Sequence, residues 1–263
     1  MESAICNGFA AMVGIAVASM LVTTGCTGSV DGSNTDTTSP NAELSPQAGT
    51  VSVRGVTRAS DGAPVGGVKV CQGTVWWATT PSDVCVTSDA SGSFLLPGVS
   101  AEQSTTIWFQ KSEFLPVLRA IQTQTSDITL PAHEDMLFPT QLPGMLMGVK
   151  MDSTKGHIAF SVGAAGQMPA PAMSVIATAE DGSLFAPVYL DAKGSPLSGA
   201  SSGSLGGFVN LRPGLYVLRF AASVSCSPDG LSGYPVSTPS PGVLVPVVAG
   251  TVTAPVTVTC TAQ

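Results

Sequence analysis

The chain has 263 residues, enough for one large or two ordinary domains, and only 10% of them are charged. Its 29 Gly and 20 Pro, with abundant Val, Thr and Ser and few Glu, Lys or Arg, exclude long amphipathic helices and call for short strands joined by many turns. The net charge of −7 is spread thinly and forms no basic stripe, which argues against nucleic acid as a partner.

The first predicted element is an address. "GFAAMVGIAVASMLVTTGC" holds an apolar run from Phe9 to Val22, short of the roughly 20 residues that span a bilayer and suited to a signal-peptide core. It ends in small residues and then Gly25-Cys26, and this ending resembles the lipobox of bacterial lipoproteins. The resemblance implies that residues 1–25 are removed and that the Cys26 thiol carries a diacylglyceryl anchor, making a membrane the partner of the N-terminus. Thr27 after the Cys, not Asp, implies the outer membrane. Two features depart from that pattern: Thr23 stands where Leu, Val or Ile is usual, and "MESAICNG" carries Glu2 and no Lys or Arg. The alternative is an ordinary secretory signal cleaved near Thr24 to Thr27. Residues 26–48 are polar, rich in Ser, Thr, Gly and Pro, and too poor in apolar surface to fold, so they are expected to form a flexible tether.

From 49 to 132 the pattern is strand and turn. "TVSVRGVT" alternates Val51 and Val53 inward, and "ASDGAPVGG" is a turn on Asp61-Gly62 and Pro64. "VKVCQGTVWW" reads as the next strand, and "VCVTSDASGSFLLPGV" as a strand, a tight Asp-Ala-Ser-Gly turn and another strand. "TTIWFQKSEFLPVLRAI" and "SDITL" complete the set. The run "VRGVTRASDGAPVGGVKV" followed by "VTSDASGSFLLPGV" resembles the carboxypeptidase regulatory-like domain, a transthyretin-like, seven-stranded β-sandwich of secreted and surface proteins. The resemblance implies a folding or binding accessory, with no peptidase activity of its own.

Residues 133–155, "HEDMLFPTQLPGMLMGVKMDSTK", form a linker with a short helix expected around Leu142 to Val149. Residues 156–263 repeat the plan with weaker spelling, "SLGGFVNLRPGLYVLRF" answering "SGSFLLPGV". Phe94 and Phe208 would fill the two cores, and Pro97-Gly98 and Pro213-Gly214 would each turn the chain back. The expected fold class is therefore all-β: two tandem Ig-like or transthyretin-like antiparallel sandwiches after a signal peptide and a disordered tether. With Cys6 in the signal and Cys26 as lipid site, Cys71, Cys85, Cys226 and Cys260 remain for two disulfides, with three possible connectivities. The two-domain split favours Cys71–Cys85 and Cys226–Cys260. Short-spaced ligand pairs for a zinc site are lacking.

The search for chemistry yields little. "GASSG" places Ser201 in a G-x-S-x-G string, but the loop around it is Gly/Ser-rich and no helix follows, so no nucleophile elbow is expected. Only His133 and His157 could act as base, and His157, at a strand start, reads as a surface or edge residue. His133, Glu134 and Asp135 are adjacent and point apart. Met136, Met145, Met147 and Met151 could hold Cu(I), yet Met equally fills irregular cores. Lys69 and Asp127 are a conceivable isopeptide pair of the kind found in Cna-type pilin domains, though an outward Lys69 is simpler. No cofactor, metal site or catalytic residue is expected. Trp76 and Trp77, as successive strand residues, should face opposite sides, leaving one exposed to stack on a sugar ring or anchor a protein partner.

These readings converge on a non-enzymatic, envelope-anchored structural or adhesion module with an unknown protein or carbohydrate partner. A carbohydrate-binding module using Trp76 or Trp77 is the alternative, and an unrecognised hydrolase a distant third.

Overall fold

The computed structural model describes residues 49–59, 61–73, 75, 77, 80–131, 136–139, 150–164, 173–191, 195–200, 202–220, 224–229, 231–237 and 242–262. The signal peptide, Cys26, the tether and the helix expected at Leu142 to Val149 lie outside them. The described residues fall within one compact unit, Ser45–Gln263. They contain strands and no helix, as expected for an all-β chain.

The first half comprises β1 (Thr50–Val56), β2 (Arg58–Ala59), β3 (Lys69–Gln72), β4 (Cys85–Thr87), β5 (Ser93–Ser100), β6 (Ser104–Gln110), β7 (Phe114–Leu115), β8 (Val117–Gln122), β9 (Ile128–Thr129) and β10 (Met136–Pro139). The second comprises β11 (Gly156–Ala164), β12 (Val175–Ala179), β13 (Leu184–Phe185), β14 (Val188–Leu190), β15 (Leu205–Leu211), β16 (Gly214–Phe220), β17 (Val224–Pro228), β18 (Val243–Val247) and β19 (Val252–Ala262).

The halves share one wiring. In the first, the order β5-β1-β9 faces β4-β3-β6-β8; in the second, β14-β15-β11-β19 faces β13-β12-β16-β18. Each opening strand has an antiparallel neighbour, β1 with β5 and β11 with β15. Each also has a parallel one, β1 with β9 and β11 with β19. Period-2 alternation supplies the cores between the sheets. Val53, Val70, Leu96, Ile107 and Phe109 fill the first; Phe160, Val175, Phe208, Leu218 and Val245 fill the second. Burying each such side chain contributes roughly 1.5–3 kcal/mol.

The register corrects one sequence equivalence. Val53 pairs with Leu96 and Val51 with Val99, while Ile158 pairs with Phe208 and Gly156 with Leu211. Phe208 therefore occupies the place of Leu96, not of Phe94, although both phenylalanines are core residues. Pro97-Gly98 does not turn the chain back. It forms a bulge inside β5, with Gly98 at φ +72°, and Asn210 at φ +55° takes the same place in β15. Pro213-Gly214 instead leads the chain from the sheet of β15 into that of β16.

The halves are also joined edge to edge. β19 pairs with β8 in parallel, Val252 with Val117 and Thr253 with Leu118, so one nine-stranded sheet runs through both. Further along, β19 pairs with β17. The Leu231–Gly233 segment continues the seam: Gln122 N–H donates to Leu231 O (3.0 Å) and Gly233 N–H to Ala120 O (3.1 Å). Val252 and Ala254 pack into the first core and Ala120 into the second.

Candidate functional site

The best-matched motif forms a structural corner. Thr57, fully buried, donates through Oγ1 to Val65 O (2.6 Å) and to Gly92 O (3.0 Å). Ser88 Oγ accepts from Val68 N–H at 3.0 Å. Asp89 Oδ1 accepts from the N–H groups of Ser91 (2.8 Å) and Ser93 (3.0 Å) and from the Ser91 hydroxyl, which together hold its pKa below the ordinary carboxylate value. A Cβ on Gly92 would lie 2.5 Å from Thr57 O, and Gly92 has φ +80°. A Cβ on Gly66 would lie 2.5 Å from Asp89 O. Both glycines are needed where backbone meets backbone. The turn is as expected, but the strands it joins, β4 and β5, belong to different sheets.

Both disulfides are formed, Cys71 with Cys85 and Cys226 with Cys260. Each joins directly opposed residues of antiparallel neighbours, β3 with β4 and β17 with β19. Trp108 and Leu118 are buried against the first. The strand expected through "VKVCQGTVWW" ends sooner, since β3 ends at Gln72 and Trp77 lies in a turn beyond it. Gly73 N–H donates to Thr106 O and Ser82 N–H to Gln72 O, which ends the strand ladder at Gln72. Trp77 is 50% exposed; Trp76 lies outside the described residues.

His157 is a further correction. It is 4% exposed, not a surface or edge residue, because β15 and β19 flank β11 on both sides. Its Nδ1 accepts from Asn210 N–H at 3.2 Å, and burial lowers its pKa to about 4, leaving the ring neutral. Asn210 also ties the preceding linker down: Oδ1 accepts from Asp152 N–H (3.1 Å) and Nδ2 donates to Lys150 O (2.9 Å). Nothing in the sequence marks this knot except Asn210 itself, the one Asn after Asn41.

A shallow cleft of about 200 Å³ opens at one end of the second half, lined by Glu180, Asp181, Arg212 and Tyr216. Asp181 is paired with Arg212 at 2.6 Å. Hydrogen bonds from Ser183 and then the Arg212 guanidinium lower its pKa to about 2. The Tyr216 hydroxyl donates to Arg212 O. Asp181 and Arg212 neutralise each other within the cleft wall, so that pair is a brace.

The remaining candidates stay apart. Lys69 is exposed, while Asp127 accepts from Ser52 N–H (2.8 Å) and pairs with Arg54 (3.0 Å). Met136 lies on β10 and Met151 is half-buried before β11; Met145 and Met147 lie outside the described residues. So do Ser201, His133, Glu134 and Asp135. Among the described residues no three His, Cys, Asp or Glu side chains gather as metal ligands, and no helix is long and apolar enough to cross a membrane.

No family model matches the chain, and no curated protein matches it. Among solved structures it is weakly similar to the Bacillus anthracis TIE protein, at 11% identity and TM-score 0.26 over 80% of this chain and 34% of that one. A streptococcal ancillary pilin matches at 14% identity and TM-score 0.25, over 82% of this chain and 64% of that one. The major pilin subunit of Bacillus cereus matches at 9% identity and TM-score 0.26, over 80% and 99%. The chain thus spans about a third of the first and less than two thirds of the second. Likeness at this level assigns neither a family nor an activity, and the all-β architecture stands on the chain's own strand pairings.

Proposed function

We propose that the chain is a non-catalytic cell-envelope lipoprotein whose two sandwiches act together as a structural or adhesion module. The observation that carries this reading is the seam. A backbone ladder between β8 and β19, with side chains exchanged between the two cores, makes a single body from two domains that a flexible linker would leave independent. Two disulfides suit an oxidising compartment outside the cytoplasm. The Thr57–Asp89 corner supports the carboxypeptidase regulatory-like resemblance, because it gives Gly66, Ser88, Asp89 and Gly92 of the motif a packing or capping task. The anchor would be Cys26, and the tether would hold the body off the outer membrane.

The test is metabolic labelling with a fatty-acid probe, comparing the intact chain with Cys26→Ala, and mass spectrometry of the mature N-terminus. Label that disappears in Cys26→Ala supports the anchor. An unlabelled chain with a free N-terminus near Thr27 refutes it and makes the protein a secreted one.

A second reading rests on the 50% exposure of Trp77, an aromatic of the kind on which a sugar stacks. Quenching or a blue shift of Trp fluorescence with an oligosaccharide, lost in Trp77→Ala, would favour it; an unchanged spectrum across a glycan panel removes it.

A further inference from the structure

The outer face of the β13-β12-β16-β18 sheet has the wrong chemistry for a surface. Antiparallel sheets with one solvated face alternate apolar-in and polar-out. Here Val175, Ala177, Tyr216 and Leu218 point into the core, yet the intervening residues are also apolar. Ile176 (42% exposed) stands on β12 and Leu184 (68% exposed) on β13, and partly exposed Leu215, Val217 and Leu244 continue the face across β16 and β18. Within it, the Arg219 guanidinium donates to the Thr178 hydroxyl at 2.9 Å. Four strands at about 4.8 Å spacing and about five residues at 3.4 Å give a footprint of roughly 330 Å², a patch size that on soluble proteins is often functional.

The equivalent face of the first half is covered. On β3, β6 and β8 its outward residues Cys71, Trp108 and Leu118 are buried, with Val248 of the second half packed against them. The Thr106 hydroxyl on that face donates to Val75 O of the loop above. One wiring thus produces two apolar outer faces, and among the described residues only the first is covered.

We infer that the β13-β12-β16-β18 face is a pairing surface for a second copy of this chain, packed face to face about a two-fold axis perpendicular to the strands. Charge placement selects the second copy and this axis. Arg219 lies opposite Ile176 near the start of β12, while exposed Glu180 follows the end of β12 at the other end of the sheet. An axis perpendicular to the strands brings Arg219 of each copy over Glu180 of the other, with the apolar residues between. A footprint well under the roughly 800 Å² per partner of stable complexes makes the pairing weak and concentration-dependent. It is independent of the lipid anchor, although confinement to a membrane would raise the local concentration that drives it.

Sedimentation velocity of the full chain across a wide concentration range tests the inference. The expected result is a reversible monomer–dimer equilibrium that Leu184→Asp weakens about tenfold or more, with an unchanged melting temperature because Leu184 is mostly exposed. Arg219→Glu should weaken it similarly, and Arg219→Glu combined with Glu180→Arg should recover most of the loss. A wild-type chain that stays monomeric overturns the inference, including one that stays monomeric while floating with phosphatidylglycerol vesicles, which would assign the face to lipid. A dimer indifferent to Leu184→Asp, or a charge swap without recovery, overturns it as well.

Discussion

Gly233→Ala should reveal how much the seam between the halves contributes. A Cβ at this position would lie 2.5 Å from the carbonyl carbon of Ile121 and 2.6 Å from its nitrogen. Both are backbone atoms of β8, so no side chain can swing aside, and the Leu231–Gly233 segment must lift away from the strand. Lifting it breaks the hydrogen bonds Gln122 N–H to Leu231 O and Gly233 N–H to Ala120 O. Each bond lost is worth about 1 kcal/mol net, and more where the freed group stays buried. Local overpacking adds about 1–3 kcal/mol. The sum is roughly 3–5 kcal/mol, which for a body of about 200 residues lowers Tm by about 6–20 °C. Differential scanning calorimetry measures this, with Gly163→Ala as control, since a Cβ there meets nothing nearer than 3.7 Å. The loss should also broaden or split the transition, as the halves begin to unfold separately. A Gly233→Ala melt within 2 °C of wild type would refute the idea that this segment stabilises the joint.

Three other outcomes follow from the same structure. Because burial lowers the His157 pKa to about 4 from 6.5, the unfolded chain binds the extra proton first; stability is therefore full above pH 6.5 and declines as pH falls towards 4. The loss is at most about 3 kcal/mol, and urea melts of wild type and His157→Gln should show it in wild type alone. Replacing Cys226 and Cys260 with Ser opens a 34-residue separation and should cost about 4 kcal/mol, against about 3 kcal/mol for Cys71 and Cys85 with their separation of 14; paired chemical denaturation curves give both values. Asn210→Gly keeps the positive φ but removes the side-chain bonds to Lys150 and Asp152, so hydrogen exchange at Asp152 should accelerate while β11 stays protected.

What the sequence discloses here is mostly local. The turns within the Asp61–Val68 and Thr87–Phe94 motifs are legible because Asp61 and Asp89 each cap their own turn, whereas the close approaches of Gly66 to Asp89 and of Gly92 to Thr57 join residues far apart in the chain. The strand class is legible for the same reason. The seam is not, because Val252 and Thr253 pair with Val117 and Leu118 across more than a hundred residues, and a valine on a joined edge looks like a valine on any strand. His157 misleads for a related reason: a strand start reads as an edge until β19 closes over it. The run "VKVCQGTVWW" reads as a single strand, but Gly73 N–H donates to Thr106 O and Gln72 O accepts from Ser82 N–H, and both of those partners lie outside the run. The two "F…PG" strings fail differently. Their spelling aligns Phe94 with Phe208, while the bulge geometry that Gly98 and Asn210 share aligns Leu96 with Phe208, and only pairing partners reveal that.

The position of β19 also sets a timetable. On a chain that is made from its N-terminus, β8 is finished more than a hundred residues before the strand that covers its edge. During that interval the first sandwich has an open ladder of N–H and C=O groups beside apolar Val117 and Leu118, which is a template for pairing with the wrong strand. When β19 emerges it closes against β11, β8 and β17 together. Folding of both halves therefore reaches completion in one late step, and a chain stalled or clipped before Val252 would present any protease it meets with two unfinished sheets at once.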